Sequence, residues 1–232
     1  MCLIRVNEMA GKGETKGRIL DAAELLFAEH GFKETSLRTI TSKAGVNLAS
    51  VNYHYGDKKT LVRAVLSRYL EQFMPSLKNE LEALLKHDEI TMEDVFRCAK
   101  QPLSSLNDYR PCGTTIFMSL IGRGYTDVQG HLRWFIITRY NDVLTLFTSA
   151  VCRANPSLDP ETLFWRLHFT LGASVFTMAS SKALCEIAEN DFSCKVETED
   201  LIDRLVPYLA AGVAAPIDQG LSLVSSPKTG TE

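Results

Sequence analysis

A helical period with no competing strand pattern is the strongest constraint on this 232-residue chain. From Thr15 nearly to the end, apolar residues recur every three or four positions, which places them on one face of a helix. No stretch alternates apolar and polar residues convincingly, so the fold class is all-α, with Gly and Pro acting mainly as punctuation. Thr15 to His30 puts Ile19, Ala23, Leu26, Phe27 and His30 on one face, and Gly31 stops it. Either Thr35 or Ser36 can cap a second helix that presents Leu37, Ile40, Thr41 and Ala44 before Gly45. A short third helix runs from Asn47 to about Tyr55. Gly56-Asp57 ends it and caps a long fourth helix from Lys58 to about Met74. Beyond Pro75, helices are expected at 76–87, 91–104, 113–124, 128–153, 160–189 and 198–214, with Pro207 kinking or delaying the last.

Composition removes several function classes. A hydrophobic fraction of 45% with a net charge of −3 does not suit a disordered chain. No apolar run approaches the ~20 residues of a membrane helix. Met1-Cys2-Leu3-Ile4 is too short for a signal-peptide core, so a cytoplasmic protein without membrane partners is expected. Cys2, Cys98, Cys112, Cys152, Cys185 and Cys194 lack C-x-x-C spacing, which predicts free thiols and no metal or other cofactor. There is no H-E-x-x-H, phosphate loop or G-x-S-x-G, and Cys112 or Cys185 as nucleophile would need a base that spacing does not supply. The chain therefore reads as a non-enzyme, with a helical enzyme as a remote alternative.

Charge is unevenly placed. Residues 1–70 hold eleven Lys/Arg against seven Asp/Glu, a net +4, while residues 71–232 carry −7. A basic head on an acidic body suits a polyanion partner for the head. Within that head, two short helices meet across Ala44-Gly45-Val46, where glycine supplies the positive φ of a tight turn and the small Ala44 permits close approach. Val46, Val51 and Tyr55 can pack back on the first helix. That leaves Leu48, Ala49, Ser50, Asn52, Tyr53 and His54, with Asn47 at the helix start, as a compact polar face of the kind that enters a major groove. Thr35 and Ser36 sit where free backbone N–H groups can meet a phosphate, and Arg38, Lys58 and Lys59 can neutralise others.

Gly31-Phe32, Thr35-Ser36, Ile40, Ala44-Gly45-Val46, Tyr53-His54-Tyr55 and Lys58 resemble the N-terminal signature of TetR-family transcriptional regulators over residues 15–61. The chain departs from the usual pattern at Asn52, often tyrosine, and Tyr55, often phenylalanine. The resemblance implies a three-helix helix-turn-helix DNA-binding domain over 15–68 and a larger helical effector-binding and dimerisation domain over 69–215. A disordered arm at 1–14 and a flexible tail at 216–232 complete the chain. It also implies a homodimer on double-stranded operator DNA, acting as a repressor. A narrower likeness to the PsrA-type subgroup runs through Thr35–Lys59, Gln129–Arg133, Leu163–Phe169 with Leu171-Gly172-Ala173, Lys182-Ala183-Leu184 and Val206–Gly212. That subgroup controls fatty-acid metabolism, which implies an apolar effector: a long-chain fatty acid or its acyl-CoA.

In the body, Phe117, Met118, Ile121, Phe135, Phe147, Trp165, Phe169 and Phe176 recur at helical spacing. Core packing accounts for most such residues, yet the same set can line an elongated apolar cavity of ~300–1,000 Å³. Arg166 and His168, inside an apolar stretch, are candidates for an acyl carboxylate or else for a structural ion pair. Leu167, Leu171 and Val175 form one stripe and Leu205, Leu209 and Val213 another. In the family, the equivalent helices pair with their twins in a dimer. A redox sensor built on Cys98, Cys112 or Cys185 is the alternative effector reading.

Overall fold

The computed structural model describes residues 15–127 and 131–216. The expected arm 1–14, Gln129-Gly130 and all of the expected tail except Pro216 lie outside the described residues. Among those described there is no strand. The helices are α1 (Thr15–His30), α2 (Leu37–Ala44), α3 (Leu48–Tyr55), α4 (Lys58–Leu84), α5 (Met92–Arg97), α6 (Lys100–Tyr109), α7 (Gly113–Asp127), α8 (His131–Ala154), α9 (Pro160–Ala179), α10 (Ser181–Phe192) and α11 (Thr198–Ala214).

The head is α1 to α3 packed on the first part of α4. Ile19, Ala23 and Phe27 of α1, Ile40 of α2, Val51 of α3 and Leu61 and Val65 of α4 are fully buried together. Their spacing gives each short helix one apolar stripe and leaves the rest to solvent. Gly31, at φ 85°, ends α1 with its N–H on the Phe27 carbonyl at 3.0 Å.

The body places α4 against α6 and α8, α7 against α9, α9 against α11, and α11 against α5. Phe117 stacks on Tyr69 at 5.8 Å and Phe96 meets Phe147 edge-on at 5.9 Å, so aromatic pairs tie the helices across this core. The expected domain boundary at 68–69 falls inside α4, which packs on α1 and α3 at one end and on body helices at the other. Head and body also meet directly, α1 against α7.

Several boundaries differ from those the sequence suggested. Pro75 does not end α4, which continues to Leu84. Pro75 and Glu71 are both solvent-exposed, so water can take the carbonyl that proline leaves unbonded. Pro207 likewise sits on the outer face inside an unbroken α11, with exposed Asp203 one turn before it. The expected helix 91–104 divides into α5 and α6, and Pro102 lies in the first turn of α6, where a missing donor costs least. The expected helix 160–189 divides at Ser180, whose φ and ψ of −101° and 12° leave helical geometry. In α8 a kink falls at Tyr140, with φ −126° and ψ 26°.

Candidate nucleic-acid interface

α2, α3 and α4 are each started by a side chain three residues upstream of the N–H it accepts. Ser36 Oγ accepts from Thr39 N at 3.0 Å, Asn47 Oδ1 from Ser50 N at 2.9 Å and Asp57 Oδ1 from Thr60 N at 2.7 Å. Such caps satisfy donors that a helix start otherwise leaves bare. The Thr60 N–H holds the Asp57 carboxyl below the ordinary carboxylate range. Between α2 and α3, Gly45 adopts φ 62°, and Val46 N bonds the Thr41 carbonyl at 3.0 Å. The left-handed residue turns the chain within one step, so α3 leaves α2 at a fixed angle.

On α3 the inward and outward faces separate as the spacing predicted. Val51 is fully buried, and Tyr55 is buried with its hydroxyl donating to the Lys16 carbonyl at 2.9 Å. Leu48, Ala49, Asn52 and Tyr53 are exposed, Tyr53 at 85%, while Ser50 and His54 are half-buried beside them. The Tyr53 and His54 rings meet edge-on at 5.0 Å, presenting a hydroxyl and an imidazole from one ledge. Asn47 and Ser36 are exposed at the starts of α3 and α2, and Arg38 is exposed on α2. Lys58 donates to the Lys33 carbonyl at 3.3 Å, which pins the start of α4 to the α1–α2 loop.

Thr35 departs from expectation. It is 2% exposed, and its hydroxyl donates to the Gly31 carbonyl at 2.8 Å and the Leu26 carbonyl at 3.1 Å. The side chain closes the end of α1 and has no free face for a phosphate; the cap of α2 is Ser36 alone. A residue the sequence reading passed over is Arg18. With Thr15, Ser42, Asn47 and Ser50 it lines an open polar cleft of about 520 Å³ beside the start of α3. Its only signal in sequence was a second cation two residues after Lys16 in an otherwise apolar helix start.

The expected effector residues do not come together. Phe117 and Met118 are buried and Ile121, Phe135 and Phe147 half-buried in the body. Trp165, Phe169 and Phe176 instead lie on the outside of α9, at 51%, 68% and 64% exposure. α9 is apolar around most of its circumference, so a count of aromatics does not tell its inner face from its outer one. Arg166 is engaged by the end of α11: Nη1 donates to the carbonyls of Val213 and Ala215 at 2.7 and 2.6 Å, and Nη2 to that of Pro216 at 3.1 Å. A guanidinium there satisfies orphan carbonyls and suits the negative helix end. The Nδ1 of His168 lies 2.7 Å from the Phe164 carbonyl. Among the expected dimer residues, Leu209 and Val213 face their own subunit's core and Leu167, Leu171, Val175 and Leu205 are half-buried. Exposed apolar positions on these two helices include Phe164, Trp165, Phe169, Gly172 and Phe176 of α9 and Tyr208, Ala211 and Gly212 of α11.

Cys112 is disulfide-bonded, so the expectation of free thiols holds among the described residues for Cys98, Cys152, Cys185 and Cys194. Folding, and not spacing along the chain, decides which sulfurs meet. Burial pushes the Cys98 thiol up to about 11 and also raises that of Cys185. Among the described residues no His/Cys/Asp/Glu group has the arrangement of a metal site, and no helix is long and apolar enough to cross a membrane.

Residues 19–65 match the family model described as bacterial regulatory proteins, tetR family. Residues 97–212, half of the chain, match the one described as tetracyclin repressor-like, C-terminal domain. The probable HTH-type transcriptional regulator YttP of Bacillus subtilis (strain 168) is 28% identical over 99 residues, 43% of this chain and 47% of that protein. The chain matches less than half the length of each of the first curated relatives. Among solved structures, a TetR-like transcriptional regulator from Rhodococcus sp. RHA1 shares the fold with a TM-score of 0.56 and 18% identity, over 89% of this chain and 99% of that one. The fatty acid degradation regulator FadR from Bacillus halodurans does so with a TM-score of 0.54 and 14% identity, over 86% and 96%.

Proposed function

We propose that this chain, which belongs to the TetR family of bacterial regulatory proteins, represses transcription by binding a pseudo-palindromic operator as a homodimer. The observation that carries the reading is the split of α3 into a buried edge, Val51 and Tyr55, and an open polar edge, Leu48, Ala49, Asn52 and Tyr53 with Ser50 and His54. A helix so divided can lie in a major groove without exposing its core. Ser36, Asn47, Arg38 and Lys58 flank it as phosphate partners, and two such helices one turn apart, ~34–36 Å, would read both half-sites. The exposed aromatic edge of α9 with the small residues of α11 is the surface we assign to the second copy. Burying Trp165, Phe169 and Phe176 is worth ~1.5–3 kcal/mol for each ring.

The effector we assign is an acyl chain, as the free acid or its coenzyme A thioester. Phe117, Met118, Ile121, Phe135 and Phe147 supply apolar contacts within the body. The spread of PsrA-like segments over most of the chain supports this choice, and a fatty acid degradation regulator shares the fold. Arg166, held by α11, is not its carboxylate partner. Release follows if the ligand favours a body conformation that holds the heads at the wrong spacing, to the extent of its differential affinity for the two states.

The test is a gel shift with promoter DNA across a salt series. Binding should weaken steeply as salt rises, and salt-insensitive or absent binding would overturn the DNA reading. Oleate or oleoyl-CoA should then release the fragment. Release by peroxide, reversed by thiol, with lipids inert, would replace the acyl effector with a redox one.

A further inference from the structure

Glu24, on α1, is fully buried, a costly place for a carboxylate unless it is paired. Its partners come from both sides of the head–body junction. Arg68 of α4 donates through Nη1 to Asp21 Oδ1 at 2.6 Å and to Glu24 Oε2 at 3.1 Å. Arg110, at the corner between α6 and α7, donates through Nη2 to Asp21 Oδ1 at 3.0 Å, and its Nε lies 3.0 Å from Glu24 Oε1. Two acids of the head thus meet one guanidinium from the shared helix and one from the body. Burial pushes the Glu24 carboxyl up while the two guanidiniums pull it down.

Arg110 stands on a rigid support. Thr114 Oγ1 donates to the Leu103 carbonyl and Thr114 N to Asn107 Oδ1 at 3.2 Å, fastening α7 to α6. A Cβ at Gly113 would fall 1.9 Å from the Leu106 carbonyl oxygen, so the two helices touch through backbone. From that corner α7 runs beside α1 and meets the head again at its far end. There Arg123 Nη2 donates to the Glu29 carbonyl at 3.4 Å, and a Cβ at Gly124 would stand 3.7 Å from Phe32. On another side α7 presses on α9 so closely at Gly122 that a Cβ would lie 2.4 Å from Val175 Cγ1. Phe117, midway along α7, stacks on Tyr69, the neighbour of Arg68.

We propose that Asp21, Glu24, Arg68 and Arg110 form a positioning cluster that fixes the orientation of the head on α7 and, in the dimer, the separation of the two recognition helices. The inference rests on the reading of the chain as a dimeric operator-binding protein. Apolar packing alone sets the angle between elements loosely, whereas two guanidiniums that each bridge Asp21 and Glu24 tie the elements carrying them at defined distances. A shift of α7 against α9 would be passed to α1, which is tied to the corner before α7 through Asp21 and Glu24 and to the far part of α7 through the Glu29 carbonyl. Arg110 is a positioning residue that touches no DNA in this scheme.

The test uses full-length protein and an operator selected by the wild type from random DNA. Affinity is measured for that operator and for versions with two base pairs inserted between the half-sites or removed. The wild type should lose about 10²–10⁴-fold on the altered spacings, since a fixed geometry forbids both heads from engaging together. Arg110→Met alone leaves a buried carboxylate under-paired and lowers the melting temperature. Glu24→Gln with Arg110→Met removes one charge of each sign, leaves the Asp21–Arg68 pair and restores the melting temperature. The double variant should nevertheless discriminate spacing less than tenfold. Arg110→Lys, which keeps the charge and loses the fork, should fall between.

If the double variant melts and discriminates like the wild type, the cluster is structural only and the proposal fails while the DNA reading stands. If the wild type selects no paired half-sites, the DNA reading fails and takes the proposal with it.

Discussion

The head and the body expose different chemistries, and the contrast is the one the proposed function calls for. On the head the exposed residues of α3 are Leu48, the small Ala49, the polar Asn52 and the hydroxylated ring of Tyr53, and every apolar side chain larger than Leu48 is turned inward. On the body, α9 displays Phe164, Trp165, Phe169 and Phe176, and α11 displays Tyr208. A groove in DNA offers hydrogen-bond donors, acceptors and phosphates, which on the proposed reading are what the exposed polar groups of α3 meet. A second copy of the protein would offer more of the same apolar surface, which on that reading is what the exposed rings of α9 meet. Neither surface could take the other's partner without leaving polar groups unpaired or apolar area wet.

The contrast can be broken most severely on the body side. Phe169→Glu with Phe176→Glu should convert the dimer to monomer in sedimentation and lower operator affinity by about 10²–10⁴-fold, although both changes are remote from α3. A dimer that persists would move the interface elsewhere. Next comes the shared core: Phe27→Ala, at a fully buried position of α1, should cost ~3–5 kcal/mol of stability by calorimetry. Because α4 and the Glu24 cluster join head to body, the loss should appear as one lowered transition; a separate early melting of the head would separate the two regions energetically. Smaller still is Tyr53→Ala, expected to weaken operator binding by ~1–3 kcal/mol for each half-site while the unfolding free energy stays within ~0.5 kcal/mol of the wild type. An equal drop in both would mean that Tyr53 supports the fold.

The smallest effect is one of pH. Asp57 in the head and Asp94 and Asp159 in the body are held below the ordinary carboxylate range by Thr60, Thr91 and Thr162 respectively. A lowered carboxyl lends its stability above its unfolded value, near pH 4, and loses it as pH falls through the folded one. The melting temperature should therefore decline on acidification below about pH 4. Asp57→Asn, which still caps, should flatten the head's share of that decline. An unchanged pH profile in this variant would show that Asp57 contributes nothing to it.

The head was largely legible because its instructions are local. Ser36, Asn47 and Asp57 each lie next to the helix they start, Gly31 and Gly45 lie where their turns need positive φ, and the period of α3 sorted Val51 and Tyr55 from Tyr53. Thr35 was misjudged because its acceptors, the carbonyls of Leu26 in α1 and of Gly31 just after it, lie upstream of the loop, which no helix-start pattern reports. The body was less legible for the same reason on a larger scale. Its periodicity indicated helices, but not which face of a nearly all-apolar α9 is inner. Arg166 finds its acceptors 47 residues away or more, and Asp21 and Arg110 meet 89 residues apart. Pro75 misled in the other direction. α4 runs through Pro75, where the carbonyl it strands, that of Glu71, is open to water, and exposure is a property of the folded chain.

The capping of α2, α3 and α4 bears on the order in which this chain acquires structure. Each of those helices closes its first hydrogen bonds within three residues, so the loop-closure entropy of starting it is small. Contacts of low sequence separation form fast, whereas pairing Arg110 with Asp21 must wait until nearly half the chain is available. On a ribosome that delivers residues one at a time, the reading head is expected to reach helical form first, and the junction that aims it would lock only after α6 emerges.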